Sequence, residues 1–98
     1  MSRSLVLRRA ARREFDDAID WYDQQQSGLG EEFESEVQRS LETILNMPMM
    51  FAIVHRDLRE AWVRRFPYGI YYRVEPGRIV VVAIVHTSRD PSIWQGRT

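Results

Sequence analysis

His86 and Arg89 are the residues of this 98-residue chain best suited, by type and spacing, to act on a substrate. Imidazole titrates near neutral pH and can exchange a proton with a reacting group. His86 follows the apolar run Ile79 to Val85, which would hold it rigidly at the mouth of a buried strand, and Arg89 is three residues on. His55 is the only other histidine; it falls in a connection, and nothing in the spacing ties it to His86. The plainer alternative for both is a hydrogen-bonded side chain at a strand end. Neither has a His-x-x-x-His partner or a carboxylate cluster, so no metal and no other cofactor is expected. Cysteine is absent, which removes a thiol nucleophile, a disulfide framework and a thiolate zinc site.

A second set of residues is suited to binding. Arg64, Arg65 and Arg73 are interleaved with Trp62 and Tyr71, and Phe66, Tyr68, Tyr72, Arg78, Trp94 and Arg97 continue the pattern. Guanidinium stays protonated and forms planar, bidentate contacts to carboxylate or phosphate, while aromatic rings stack on bases or fill partner pockets. The alternative is that half the aromatics are core and the arginines a solvated face, consistent with an isoelectric point near 6.7. There is no lysine, and so no tunable amine base.

The formal charge of zero conceals three zones. Residues 1 to 13 hold five Arg and no acid, residues 14 to 36 hold nine acids and no base, and the remainder holds nine Arg against five acids. Asp16, Asp20 and Asp23 share one helical face, the pattern of a solvated surface or of a partner rich in arginine.

These residues need elements to position them. Ser4 to Arg9 reads as a short strand. Phe15, Ala18, Ile19 and Tyr22 fall at i, i+3, i+4 and i+7, predicting an amphipathic helix from about Ala10 to Gln26. Gly28 and Gly30 interrupt that period. A second helix then carries Leu29, Phe33, Val37, Leu41, Ile44 and Leu45 on its apolar face and stops at about Asn46, because Pro48 disfavours helical backbone before it. Three runs rich in β-branched and aromatic residues follow, at 61–66, 68–74 and 78–85. Glu75-Pro-Gly-Arg78 matches a type II turn, and Phe66-Pro-Tyr-Gly69 forms the turn before it. The expected fold is α+β, ordered β-α-α-β-β-β, with a helical hairpin on an antiparallel sheet.

A chain of this length with 44% hydrophobic residues suits one domain over residues 1–98. The apolar run near the N-terminus, Leu5 to Leu7, is too short for a signal segment or membrane span, so a cytoplasmic protein without membrane association is expected.

Several local motifs, in their order and spacing, resemble the RelE/ParE toxin superfamily of type II toxin–antitoxin modules. They are Ala18-Ile-Asp-Trp-Tyr22, Gly28-Leu-Gly-Glu-Glu-Phe33, Val63-Arg-Arg-Phe-Pro-Tyr68 with Tyr71-Tyr-Arg73, and His86-Thr-Ser-Arg-Asp-Pro-Ser-Ile-Trp94 followed by Arg97. The resemblance implies a toxin silenced by a cognate antitoxin in a hetero-oligomer. RelE-like members cut mRNA on the ribosome with Lys and Arg side chains; ParE-like members poison DNA gyrase and have no known hydrolytic site. Here lysine is missing, Gly69 stands where the ribonuclease branch commonly has an Arg, and Trp94 replaces its near-terminal Tyr. Indole cannot give or take a proton as a phenol does. The resemblance therefore favours a ParE-like gyrase inhibitor. A ribonuclease acting through His86, and an inactive member that only binds antitoxin, are the alternatives. Arg64, Arg65, Arg73, Trp62 and Tyr71 are the expected target or antitoxin contacts, and Asp90 is expected to cap a terminal turn that brings Trp94 back as an anchor. Trp62, Phe66, Tyr71 and Met49 to Phe51 supply more apolar side chains than one small core uses, for an antitoxin to cover.

Overall fold

The computed structural model describes residues 3–98. Strand β1 (Ser4–Leu7) leads into helix α1 (Arg9–Gln25) and helix α2 (Leu29–Asn46), then strands β2 (Ile53–His55), β3 (Leu58–Trp62), β4 (Tyr68–Glu75) and β5 (Arg78–His86), and a final turn of helix, α3 (Ser92–Gln95). The fold is α+β as expected, and the sheet order is β1-β5-β4-β3-β2.

Three details go beyond the sequence expectation. β1 pairs in parallel with β5, Ser4 opposite Arg78 through Leu7 opposite Val81, so one edge of the otherwise antiparallel sheet is parallel. A short strand, β2, forms the other edge against β3. β3 begins at Leu58 and ends at Trp62, and residues 63–67 form the connection, closed by the Val63 amide donating to the Tyr68 carbonyl at 2.9 Å.

The helical hairpin turns at Gly28, whose φ of 89° suits a residue without Cβ. The Asp23 carboxylate accepts the Gly28 and Gly30 amides at 3.0 and 3.2 Å. Asp23 of the supposedly solvated acidic face thus caps the start of α2. At Gly30 the helices touch backbone to backbone: a Cβ there would lie 2.5 Å from the Ile19 carbonyl oxygen.

The helices cover one face of the sheet through Phe15, Tyr22, Phe33, Ile44, Phe66, Ile70, Tyr72 and Ile84. The rings of Phe33, Tyr22, Phe66 and Tyr68 pack edge to face or tilted, with centroids 4.9 to 6.0 Å apart. Leu58, Tyr71, Val80, Val82, Val85 and Trp94 form a smaller cluster on the opposite face. β5 serves both clusters, which explains why its residues are apolar on both sides. An irregularity opposite Tyr71 and Tyr72 shifts the register within β5.

Candidate functional site

The face of the sheet away from the helices is built around Tyr71. Its ring stacks on Trp94 with centroids 4.0 Å apart and planes 12° from parallel. Trp94 reaches it because the chain reverses after β5: the Asp90 carboxylate accepts the Ser92 amide at 3.0 Å and so starts α3, as the sequence suggested. The Tyr71 hydroxyl donates to Glu60 on β3 at 2.7 Å. Burial first, then this hydrogen bond, raises the Tyr71 phenol above its ordinary range. Gly69 makes room for the ring, since a Cβ there would fall 2.9 Å from the Tyr71 hydroxyl. The position where an arginine was expected in the ribonuclease branch is therefore closed by a phenol that is itself engaged.

Trp62 lies opposite Gly69 across the β3–β4 pair and is 72% exposed. Arg64, in the following connection, is exposed and makes no ion pair among the described residues. The other expected contacts are engaged within the chain. Tyr71 is buried. Arg73 donates through Nε to Glu75 at 2.8 Å, and Arg78 donates to the other oxygen of the same carboxylate at 2.8 Å; these two bonds lower the Glu75 pKa. Arg65 has a left-handed φ of 72° and contacts Glu32 at 3.1 Å and Glu36 at 3.6 Å on α2. Glu36 is buried, and its Oε1 has no hydrogen-bond partner among the described residues. Arg65 and Arg73 are thus held by intramolecular carboxylates.

The two histidines occupy opposite faces. His55 meets the Trp94 ring edge-on at 6.2 Å on the outer face, whereas His86 meets Tyr68 at 5.5 Å on the helix side. His86 Nδ1 accepts the Ser88 amide at 3.0 Å, and the Ser88 hydroxyl lies 2.7 Å from it. With Nδ1 occupied by the Ser88 amide, Nε2 is the ring nitrogen left to face the neighbouring cleft as a donor. His86 and Arg89 line a cleft of about 260 Å³ with Glu14, Asp17, Trp21 and Tyr68. Burial raises the Tyr68 pKa, nearby Tyr22 adds to the rise, and Arg89 opposes it. Glu14 is paired with Arg97, and Asp17 faces the one exposed guanidinium of Arg89, a poor seat for a phosphodiester.

Among the described residues no group of three or more potential ligands is placed to hold a metal ion, and no helix is long and apolar enough to cross a membrane. Glu60 was not anticipated as part of this face. Its only sequence signal is a place two residues from both Leu58 and Trp62, on the strand face they share, and a partner eleven residues away leaves no local pattern.

A family model for the ParE toxin of the type II toxin–antitoxin system parDE matches residues 5–91. No curated protein matches the chain. A solved structure described as the chromosomal ParDE TA system from P. aeruginosa superposes with a TM-score of 0.76 at 16% identity, covering 88% of this chain and 96% of that one. At that identity the likeness speaks to the fold.

Proposed function

The chain belongs to the ParE toxin family of type II toxin–antitoxin systems, and on that premise we propose that it arrests growth by binding DNA gyrase, while its cognate antitoxin holds it silent. The observation that carries this reading is the Trp94–Tyr71 stack, with the Tyr71 hydroxyl bound to Glu60. Cutting RNA through its 2′-hydroxyl requires groups that take and give protons, and cations to stabilise the phosphorane. This face presents an indole, an engaged phenol whose pKa is raised, a carboxylate that repels phosphate, and His55 set edge-on against Trp94 with no cationic partner beside it among the described residues. Arg73 on the same face is engaged by Glu75, a carboxylate it shares with Arg78. The histidine with an accepting Nδ1 lies on the other face.

A protein target asks for something else. Exposed Trp and Arg side chains commonly dominate binding energy at protein interfaces, and Trp62 and Arg64 offer both beside the open end of β3. We assign them as the primary target contacts.

Induction in growing cells tests the reading. Expected are a DNA-damage response and loss of plasmid supercoiling, with bulk mRNA intact over the first minutes. Primer extension that maps cuts within translated codons, with supercoiling unchanged, contradicts it.

A further inference from the structure

The outer edge of β5 is open past Val81, where β1 ends. Glu14 and Arg97 hold two of the backbone groups that point outward there, the Ile84 amide and the Val82 carbonyl. The amide and carbonyl of one strand residue point to the same edge, and so do those of the residue two places on. The next groups along this edge are therefore the Ile84 carbonyl, an acceptor, and the His86 amide, a donor. They open onto the cleft of about 260 Å³ between β5 and α1.

Charges of both signs flank this edge. Asp17 of α1 and Arg89, just beyond β5, line the same cleft. Both are exposed, and neither makes an ion pair among the described residues. His86 adds Nε2 as a further donor near Arg89, because its Nδ1 is occupied by the Ser88 amide. Trp21 supplies an apolar wall: it is 54% exposed, and Tyr22 braces it edge-on with ring centroids 5.0 Å apart.

We propose that this cleft binds a free α-amino acid with an apolar side chain. The ammonium meets Asp17 and the Ile84 carbonyl, the carboxylate meets Arg89 and the His86 amide, and the side chain lies on the Trp21 indole. Only a zwitterion uses all of these groups. A simple anion leaves Asp17 facing like charge, and a simple amine leaves the Arg89 guanidinium and the His86 amide without an acceptor. Size points the same way, because the cleft is smaller than the roughly 300–1,000 Å³ of pockets that enclose drug-sized ligands. Bound in this sense, the ligand's backbone runs parallel to β5 and takes up the pairing where β1 leaves it. The inference stands on the cleft and is independent of the family reading.

The test titrates the purified protein with phenylalanine and, in parallel, with phenethylamine, which lacks the carboxylate, and hydrocinnamate, which lacks the ammonium. Calorimetry reads the affinity, and assigned amide and indole NMR spectra read the place. Phenylalanine is expected to bind saturably at about 1 mM or tighter, and each analogue about tenfold or more weakly. Shifts should appear at the Trp21 indole and the His86 amide and not at the exposed Trp62 indole of β3. Asp17→Asn and Arg89→Gln should each weaken phenylalanine binding by about tenfold or more. Both side chains are exposed, so folding is retained, and circular dichroism verifies it. Hydrocinnamate that binds as tightly as phenylalanine, with phenylalanine binding unaltered in Asp17→Asn, overturns the zwitterion assignment. The site itself is overturned if phenylalanine, leucine and methionine all fail to bind saturably below about 10 mM, or if the shifts fall at Trp62 and spare Trp21 and His86.

Discussion

Glu14 and Arg97 meet at 3.0 Å although 83 residues separate them. Glu14 also accepts the Ile84 amide at 3.1 Å, and Arg97 donates to the Val82 carbonyl at 3.0 Å. β1 leaves β5 at Val81, so beyond that point the outer edge of the central strand has no neighbouring strand. The ion pair satisfies two of its backbone groups and pins the C-terminal segment to α1. Both side chains are largely buried, and charge-assisted hydrogen bonds of this kind contribute about 1.5–3 kcal/mol. Arg97→Ala and Glu14→Ala should each destabilise the protein by about that amount in urea unfolding, with a coupling above ~0.5 kcal/mol in the double-mutant cycle. Additive losses contradict the pairing.

The Tyr71 stack makes Gly69 intolerant of any side chain. Gly69→Ala forces its Cβ against a ring fixed by Trp94 and Glu60 and is expected to cost about 1–3 kcal/mol, as overpacking does. Tyr71→Ala removes the obstacle, so adding Gly69→Ala to it should cost much less. A calorimetric melt of the single and double variants decides this; equal costs in both backgrounds refute steric conflict with Tyr71.

Arg64 and Arg65 are adjacent but have different jobs. Arg64→Glu should leave stability within about 0.5 kcal/mol and weaken target inhibition. Arg65→Glu sets a third carboxylate beside Glu32 and buried Glu36, and is expected to destabilise the protein more than Arg64→Glu does. Reversing both residues therefore mixes a contact effect with a folding effect, and the single variants separate them. Arg64→Glu that unfolds the protein, or that inhibits as strongly as wild type, removes Arg64 from the contact assignment.

Alkaline stability follows from Tyr72, whose hydroxyl donates to the Pro48 carbonyl at 2.6 Å within the core. Burial pushes its pKa up to about 12, with Arg59 pulling weakly the other way. A folded-state pKa above the ordinary phenol value near 10 means that the stabilisation is complete below pH ~10 and is lost as pH rises toward ~12. Tyr71, also raised, acts in the same direction. Tyr72→Phe should flatten the dependence of unfolding free energy on pH in this window while costing about 0.5–1.5 kcal/mol at neutral pH. An unchanged slope contradicts the assignment.

Regular periodicity made the helices and β4 and β5 legible in the sequence. α1 and α2 fall within a residue or so of their expected ends because Gly28 and Pro48 break the backbone pattern, and β5 stands out as a run apolar on both faces. β2 and the start of β3 were hidden. β2 is a three-residue edge strand with Ile53 and Val54 exposed, and β3 inside it carries the charged Arg59 and Glu60, so alternation is weak in both. The parallel pairing of β1 has no local signature, since it joins residues more than seventy positions apart. In the site, Trp94 as an anchor and Asp90 as a cap could be read from their spacing. The intramolecular partners of Arg65, Arg73 and Tyr71 are Glu32, Glu36, Glu75 and Glu60, and only the folded chain brings those carboxylates near.

The central claim is tested most directly by titrating the purified protein into a supercoiling reaction of purified DNA gyrase on relaxed plasmid. Inhibition is expected near one toxin per gyrase binding site, relieved by antitoxin and weakened by about tenfold or more in Trp62→Ala, the cost of losing an interface hot spot. Undiminished supercoiling at a large molar excess of folded toxin contradicts the account and leaves only the family assignment standing.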